Sequence, residues 1–186
     1  MFKAIAKLVI GTPRISEEER ELGLAYFRNS TAISALQTRE ADRYNSALMI
    51  HMNNLDRPES VQVLLDASLR LALCAKECIR RHALVSPVPD VAGPDYAAWM
   101  LVYQDYSVWI EATHDAFVAL SRGLTPATGR VRELFAVSEK QRKVAEAEGR
   151  KLLRALGLKA SDLPALAAAG QEAMDTVDWE PPADAV

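Results

Sequence analysis

The sequence predicts an all-α protein: an up-and-down bundle of four long helices, followed by a short fifth helix and an acidic tail. Three observations carry that expectation. Alanine and leucine supply 30 and 22 of the 186 residues, whereas valine and isoleucine supply 14 and 7, a balance that favours helices over pleated sheets. Proline removes a backbone donor and clashes with the preceding helical turn. Its positions leave four long uninterrupted intervals, of 44, 28, 31 and 37 residues. Within those intervals apolar residues recur at steps of three and four, the period of one helix face.

The elements follow in chain order. Residues 1–11 form a short amphipathic segment with Phe2, Ile5, Ala6 and Val9 opposite Lys3 and Lys7, expected to pack across one end of the bundle or against another chain. Ser16 with Glu19 three positions on is a capping box, and Glu17 and Glu18 suit the positive end of the helix dipole. A helix from Ser16 to Asn54 would span roughly 58 Å, so a kink or break is expected near Asn29, Ser30 and Thr31.

Asp56, ahead of Pro58 and Glu59, opens the second helix, whose last turns gather Arg80, Arg81 and His82. More than half of its circumference is apolar (Leu64, Leu65, Leu69, Leu73, Ile79), with Gln62, Asp66, Arg70, Glu77 and Arg81 as a narrow polar strip. Such a helix is central to the bundle or forms an oligomer interface. The third opens at Asp95 after Pro94 and ends near Gly123. Its expected buried stripe is Trp99, Val102, Tyr106, Trp109, Thr113, Ala116 and Leu120, with Gln104, Ser107, Glu111, Asp115 and Arg122 opposite. The fourth opens at Thr128 or Gly129, and Gly157 suits its left-handed cap. The fifth starts near Ser161, tolerates Pro164 in its first turn, and runs to about Thr176. Residues 1–176 thus read as one domain and residues 177–186 as a flexible acidic tail.

With 49% hydrophobic and 25% charged residues the chain is globular, and no stretch approaches the ~20 apolar residues of a membrane span. A formal net charge of −3 gives no field that gathers phosphate backbones, so neither nucleic acid nor a membrane is an expected partner. Two cysteines four residues apart exclude a disulfide framework and suit the cytoplasm, and the first residues lack a secretory pattern.

Folding the four helices back at connections near 56, 90 and 127 places His114 level with Asp66, Ala47 and Lys140. Glu111-x-x-His114 has the spacing of a helical carboxylate-bridged metal site, and Asp66, Glu139 and Tyr44 fall near its layer, which would suit Fe or Mn. Those sites use two such motifs and two further carboxylates, so with a single copy here no cofactor is expected. Cys74, Cys78 and His82 lie down one side of the second helix. The run from Cys74 to Cys78 resembles one element of the cysteine-rich copper-storage bundles, but two cysteines make no store, and small apolar side chains in a leucine-rich helix are expected. Six aromatics between Tyr96 and Phe117 have the spacing of a packing face.

Charge is unevenly spread. Residues 130–159 carry a net charge of +5 and residues 160–186 a net of −6. The tail, with Trp179 as its one large anchor, is expected to be a frayed terminus with Trp179 strapped onto the bundle; the alternative is that it binds a partner in trans or lies in cis on the chain's own basic helix. No phosphate-binding glycine loop, nucleophile elbow or His-Glu-x-x-His motif occurs. The expected function is therefore non-enzymatic, that of an interaction or assembly protein that pairs with itself and with another protein through Phe2, Ile5, Val9, Leu69, Leu73 and Trp179. The alternative is a metal-binding bundle using Glu111, His114, Asp66 and Glu139. A third reading is nucleic-acid binding through residues 130–159.

Overall fold

The computed structural model describes residues 15–55, 57–85, 92–123, 127–158 and 160–182. Among the described residues five α-helices follow one another: α1 (Glu17–Met52), α2 (Pro58–His82), α3 (Gly93–Ser121), α4 (Ala127–Ala155) and α5 (Leu163–Thr176), with a 3₁₀ turn at Ala160–Asp162 ahead of α5. Among the described residues there is no strand, and the protein is all-α. No described helix is long and apolar enough to cross a membrane.

Local chemistry explains the boundaries. At the start of α1 the Glu19 amide donates to Ser16 Oγ at 3.2 Å while the Ser16 amide donates back to Glu19 Oε2 at 2.8 Å, which completes the capping box. Gly123 and Gly157 take φ of 73° and 70°, the left-handed geometry that ends α3 and α4. The second helix opens one residue later than expected. Arg57 is its N-cap, and its carbonyl accepts from the Ser60 amide at 3.1 Å and the Ser60 hydroxyl at 2.7 Å. Asp56 and the amphipathic segment with Phe2, Ile5 and Val9 lie outside the described residues.

The expected break in the first helix does not occur. The chain stays helical through Asn29, Ser30 and Thr31, and α1 runs for 36 residues, about 54 Å. Ser30 and Thr31 are buried there, and both hydroxyls donate to the Phe27 carbonyl at 2.9 Å, so neither leaves an unsatisfied polar group inside the helix.

Each of the four long helices packs on the next, and α5 packs on α1. Ala47 of α1, Leu64 and Ala67 of α2, Ala116 and Phe117 of α3 and Leu134 of α4 share one core layer. Tyr26, Leu152, Ala155, Leu156 and Leu166 share another, flanked by Tyr96 and Trp99. Residues from opposite ends of successive helices thus meet, so the four long helices alternate in direction. At the second of these layers α1 and the end of α4 approach closely: a Cβ added at Gly23 would collide with the Leu156 carbonyl oxygen.

Over its first part the stripe of α3 is rotated by one residue from the expected one, while Thr113 and Ala116 are buried as expected. Met100, Tyr103, Ser107, Ile110, Thr113, Ala116 and Phe117 are buried, and Trp99, Tyr106 and Trp109 flank them half-exposed. Because α3 packs against both α2 and α4, aromatics on two adjoining faces of it find partners, and Ser107, which donates to the Gln104 carbonyl at 2.8 Å, occupies the middle.

Candidate functional site

The most distinctive polar arrangement surrounds Glu40. Along α1 the residues Ile33, Leu36, Glu40, Tyr44 and Ala47 fall at helical steps of three and four, and Glu40 takes the place of an apolar residue in that stripe. It is only 1% exposed. Its carboxylate accepts from Arg39 Nε at 3.2 Å, Arg43 Nη1 at 3.1 Å and Arg70 Nε of α2 at 3.2 Å. A buried carboxylate persists only with such compensation, because desolvating it costs several kcal/mol.

The three arginines carry more positive charge than Glu40 neutralises, and the chain's own C-terminal segment supplies the rest. Arg39 donates from Nη1 to the Val177 carbonyl at 2.7 Å and from Nη2 to the Trp179 carbonyl at 2.9 Å. Arg70 Nη1 donates to Glu180 Oε2 at 2.6 Å, and the same guanidinium lies 5.8 Å from the centre of the Trp179 ring. The hydrogen bond from Arg70, with the charges of Arg43 and Arg39 behind it, holds the Glu180 carboxyl below the usual carboxylate range. Val177 and Trp179 rest on the cluster of Ile33, Leu36, Cys74, Cys78 and Tyr103. Residues 177–180 therefore form a strap across α1 and α2, not a free tail. It lies in cis, on α1 and α2 instead of on the basic fourth helix.

The residues of the expected metal site are not gathered. Glu111 is paired with Lys76 at 2.6 Å, His114 Nδ1 with Ser68 Oγ at 2.9 Å, Asp66 with Gln62 at 2.7 Å and Glu139 with Arg142 at 2.7 Å. Among the described residues no group of three or more His, Cys, Asp or Glu side chains could hold a metal ion. Similar heights along the bundle do not bring these residues together: Asp66 and Glu139 are exposed, each paired within its own helix.

Cys74 and Cys78 are fully buried with their sulfurs 3.7 Å apart, and Cys78 also reaches the Ile33 carbonyl. Contact with Cys78 and burial raise the Cys74 thiol pKa, so it stays protonated and unreactive. His82 stands edge-on to Trp99 at 4.8 Å and to Tyr103 at 6.0 Å. The cysteines and histidine are core residues.

Two serine–histidine pairs, Ser68 with His114 and Ser60 with His51, have the reach of a nucleophile and its base. Neither is arranged as one. Each hydroxyl has one proton and also bonds a carbonyl that can only accept, Leu65 in the first case and Asn54 and Arg57 in the second. Both serines are buried as well. Four basic side chains of α4 are engaged within their own helix: Arg142 with Glu139 and Glu146, Lys143 with Glu139, Arg150 with Glu146, and Lys151 with Glu148. Leu69 and Leu73 are half-buried on α2.

Fold and site together define a helical bundle with a strap-covered arginine cleft. Comparisons with protein-family models, with curated proteins and with solved structures found no match.

Proposed function

We propose that this protein is a non-enzymatic assembly protein, associating first with a second copy of itself through the corner where α1 turns into α2. One observation carries the reading. Met49, Ile50, Met52 and Leu55, within seven positions, are exposed by 60%, 49%, 59% and 66%, with Val63 at the start of α2 exposed by 46%. Single exposed apolar side chains are ordinary, but a cluster at one corner marks an interaction surface. Two of the five are methionines, whose flexible thioethers adapt to a facing surface. The satisfied serine–histidine pairs and inert cysteines support the non-enzymatic side of the reading.

Light scattering on the full chain tests it. The expected mass is a multiple of 20.5 kDa, and the Ile50→Asp/Leu55→Asp variant is expected to fall to the monomer mass with unchanged helical circular dichroism. A wild-type protein that remains monomeric at high micromolar concentration, or a variant that assembles as before, overturns the proposal.

A further inference from the structure

We infer that the cleft formed by Arg39, Arg43 and Arg70 is a receptor for an extended acidic segment led by an aromatic residue, and that such a segment of a partner protein displaces the chain's own residues 177–180. This rests on the reading of the protein as one that binds other proteins and adds the chemistry of what it binds.

Four features of the cleft specify that ligand. Arg39 addresses two main-chain carbonyls two residues apart, at 2.7 and 2.9 Å, the repeat of an extended chain, and so reads backbone shape without regard to side chain. The apolar cluster of Ile33, Leu36, Cys74, Cys78 and Tyr103 packs against the aromatic residue, with a guanidinium over its ring. Three guanidinium groups stand against one buried carboxylate, and Glu180 adds only a second negative charge. Finally, Arg70 Nη2 is buried with no hydrogen-bond partner among the described residues. The strap therefore leaves a donor unused that a bidentate or second carboxylate would engage.

The strap is also built to leave. None of residues 177–182 is buried, and among the described residues no backbone–backbone hydrogen bond ties residues 178–182 to a helix. Side chains of α1 and α2 do the holding. What keeps it seated is its tether to α5, which gives an effective concentration of roughly millimolar and makes the cleft selective for ligands that outbid it.

A fluorescently labelled peptide copying residues 175–182 is the probe, read by anisotropy against full-length chains. The Trp179→Ala/Glu180→Ala chain, whose strap is weakened, is expected to bind it about tenfold more tightly than wild type, because the tethered competitor is lost. Adding Arg39→Lys, which keeps the charge over Glu40 but cannot serve two carbonyls, is expected to reduce binding about tenfold. A peptide with alanine in place of its tryptophan is expected to bind weakly. No binding to the weakened-strap chain overturns the inference, and so does binding that Arg39→Lys and Arg70→Lys leave unchanged. Neither outcome depends on the mass found by light scattering, so a failure of the cleft and a failure of the apolar corner are distinguishable.

Discussion

His82 ends α2 inside the aromatic layer, 5% exposed, with Nδ1 lacking a hydrogen-bond partner among the described residues. Burial lowers its pKa from 6.5 to about 4, so the folded protein holds the imidazole neutral where the unfolded chain would protonate it. Between pH 6.5 and 4 the unfolded state binds more protons. Stability is therefore complete above pH 6.5 and falls as the pH drops towards 4, by about 3 kcal/mol in all. Urea unfolding of wild type at pH 7 and pH 4.5 is expected to show this loss, and His82→Gln is expected to remove most of the difference. Glu40 is the residue that sequence reading missed. Its signal is present: a carboxylate falls in step with Ile33, Leu36, Tyr44 and Ala47, between two arginines. Periodicity along α1 does not show that Arg70 of the next helix meets this carboxylate, so Glu40 reads as one more solvated charge.

Helix by helix, the ends were readable and the rotations were not. Proline and glycine act locally, through a missing donor or a permitted positive φ, so Gly123, Gly157 and the capping box can be placed without knowing what packs where. Height along the bundle follows from connection lengths, and Ala47 and His114 do come out near one level. Azimuth depends on neighbours: α3 has two, and the first part of its stripe turned by one residue to serve both. Gly23 tests the close approach of α1 to the end of α4. In an open helix Gly→Ala adds up to about 1 kcal/mol of stability, but here the new Cβ meets the Leu156 backbone, which cannot rotate away. Gly23→Ala is expected to destabilise by about 1–3 kcal/mol, measured as a shift in the urea midpoint at constant m.

For the molecule as a whole, the strap binds the chain's last described residues to its first helix. Arg20 near the start of α1 meets Asp162 at 2.6 Å, and Arg39 meets Val177 and Trp179 farther along it. A chain ended after Thr176 is expected to keep its helical content and unfold in a single transition, with a loss of about 1–2 kcal/mol from uncovering the half-buried Val177 and Trp179. Thermal circular dichroism measures both. The all-α class and the five helices of the described residues were legible because composition and punctuation are properties of the chain alone. The cleft was not, since it brings together residues 39, 43, 70 and 180, and pairing across such separations leaves no periodic trace.

Contacts such as Arg20 with Asp162 and Arg39 with Trp179 join residues 142 and 140 positions apart. During synthesis α1 and α2 are made first and the strap much later. Until residues 177–180 emerge, Arg39 and Arg70 lack their carbonyl and carboxylate partners, and Glu40 is the only acid they hold. The newborn chain passes through an interval in which these arginines are uncovered, and residues 177–180 cover them only after α1 to α5 have all been made.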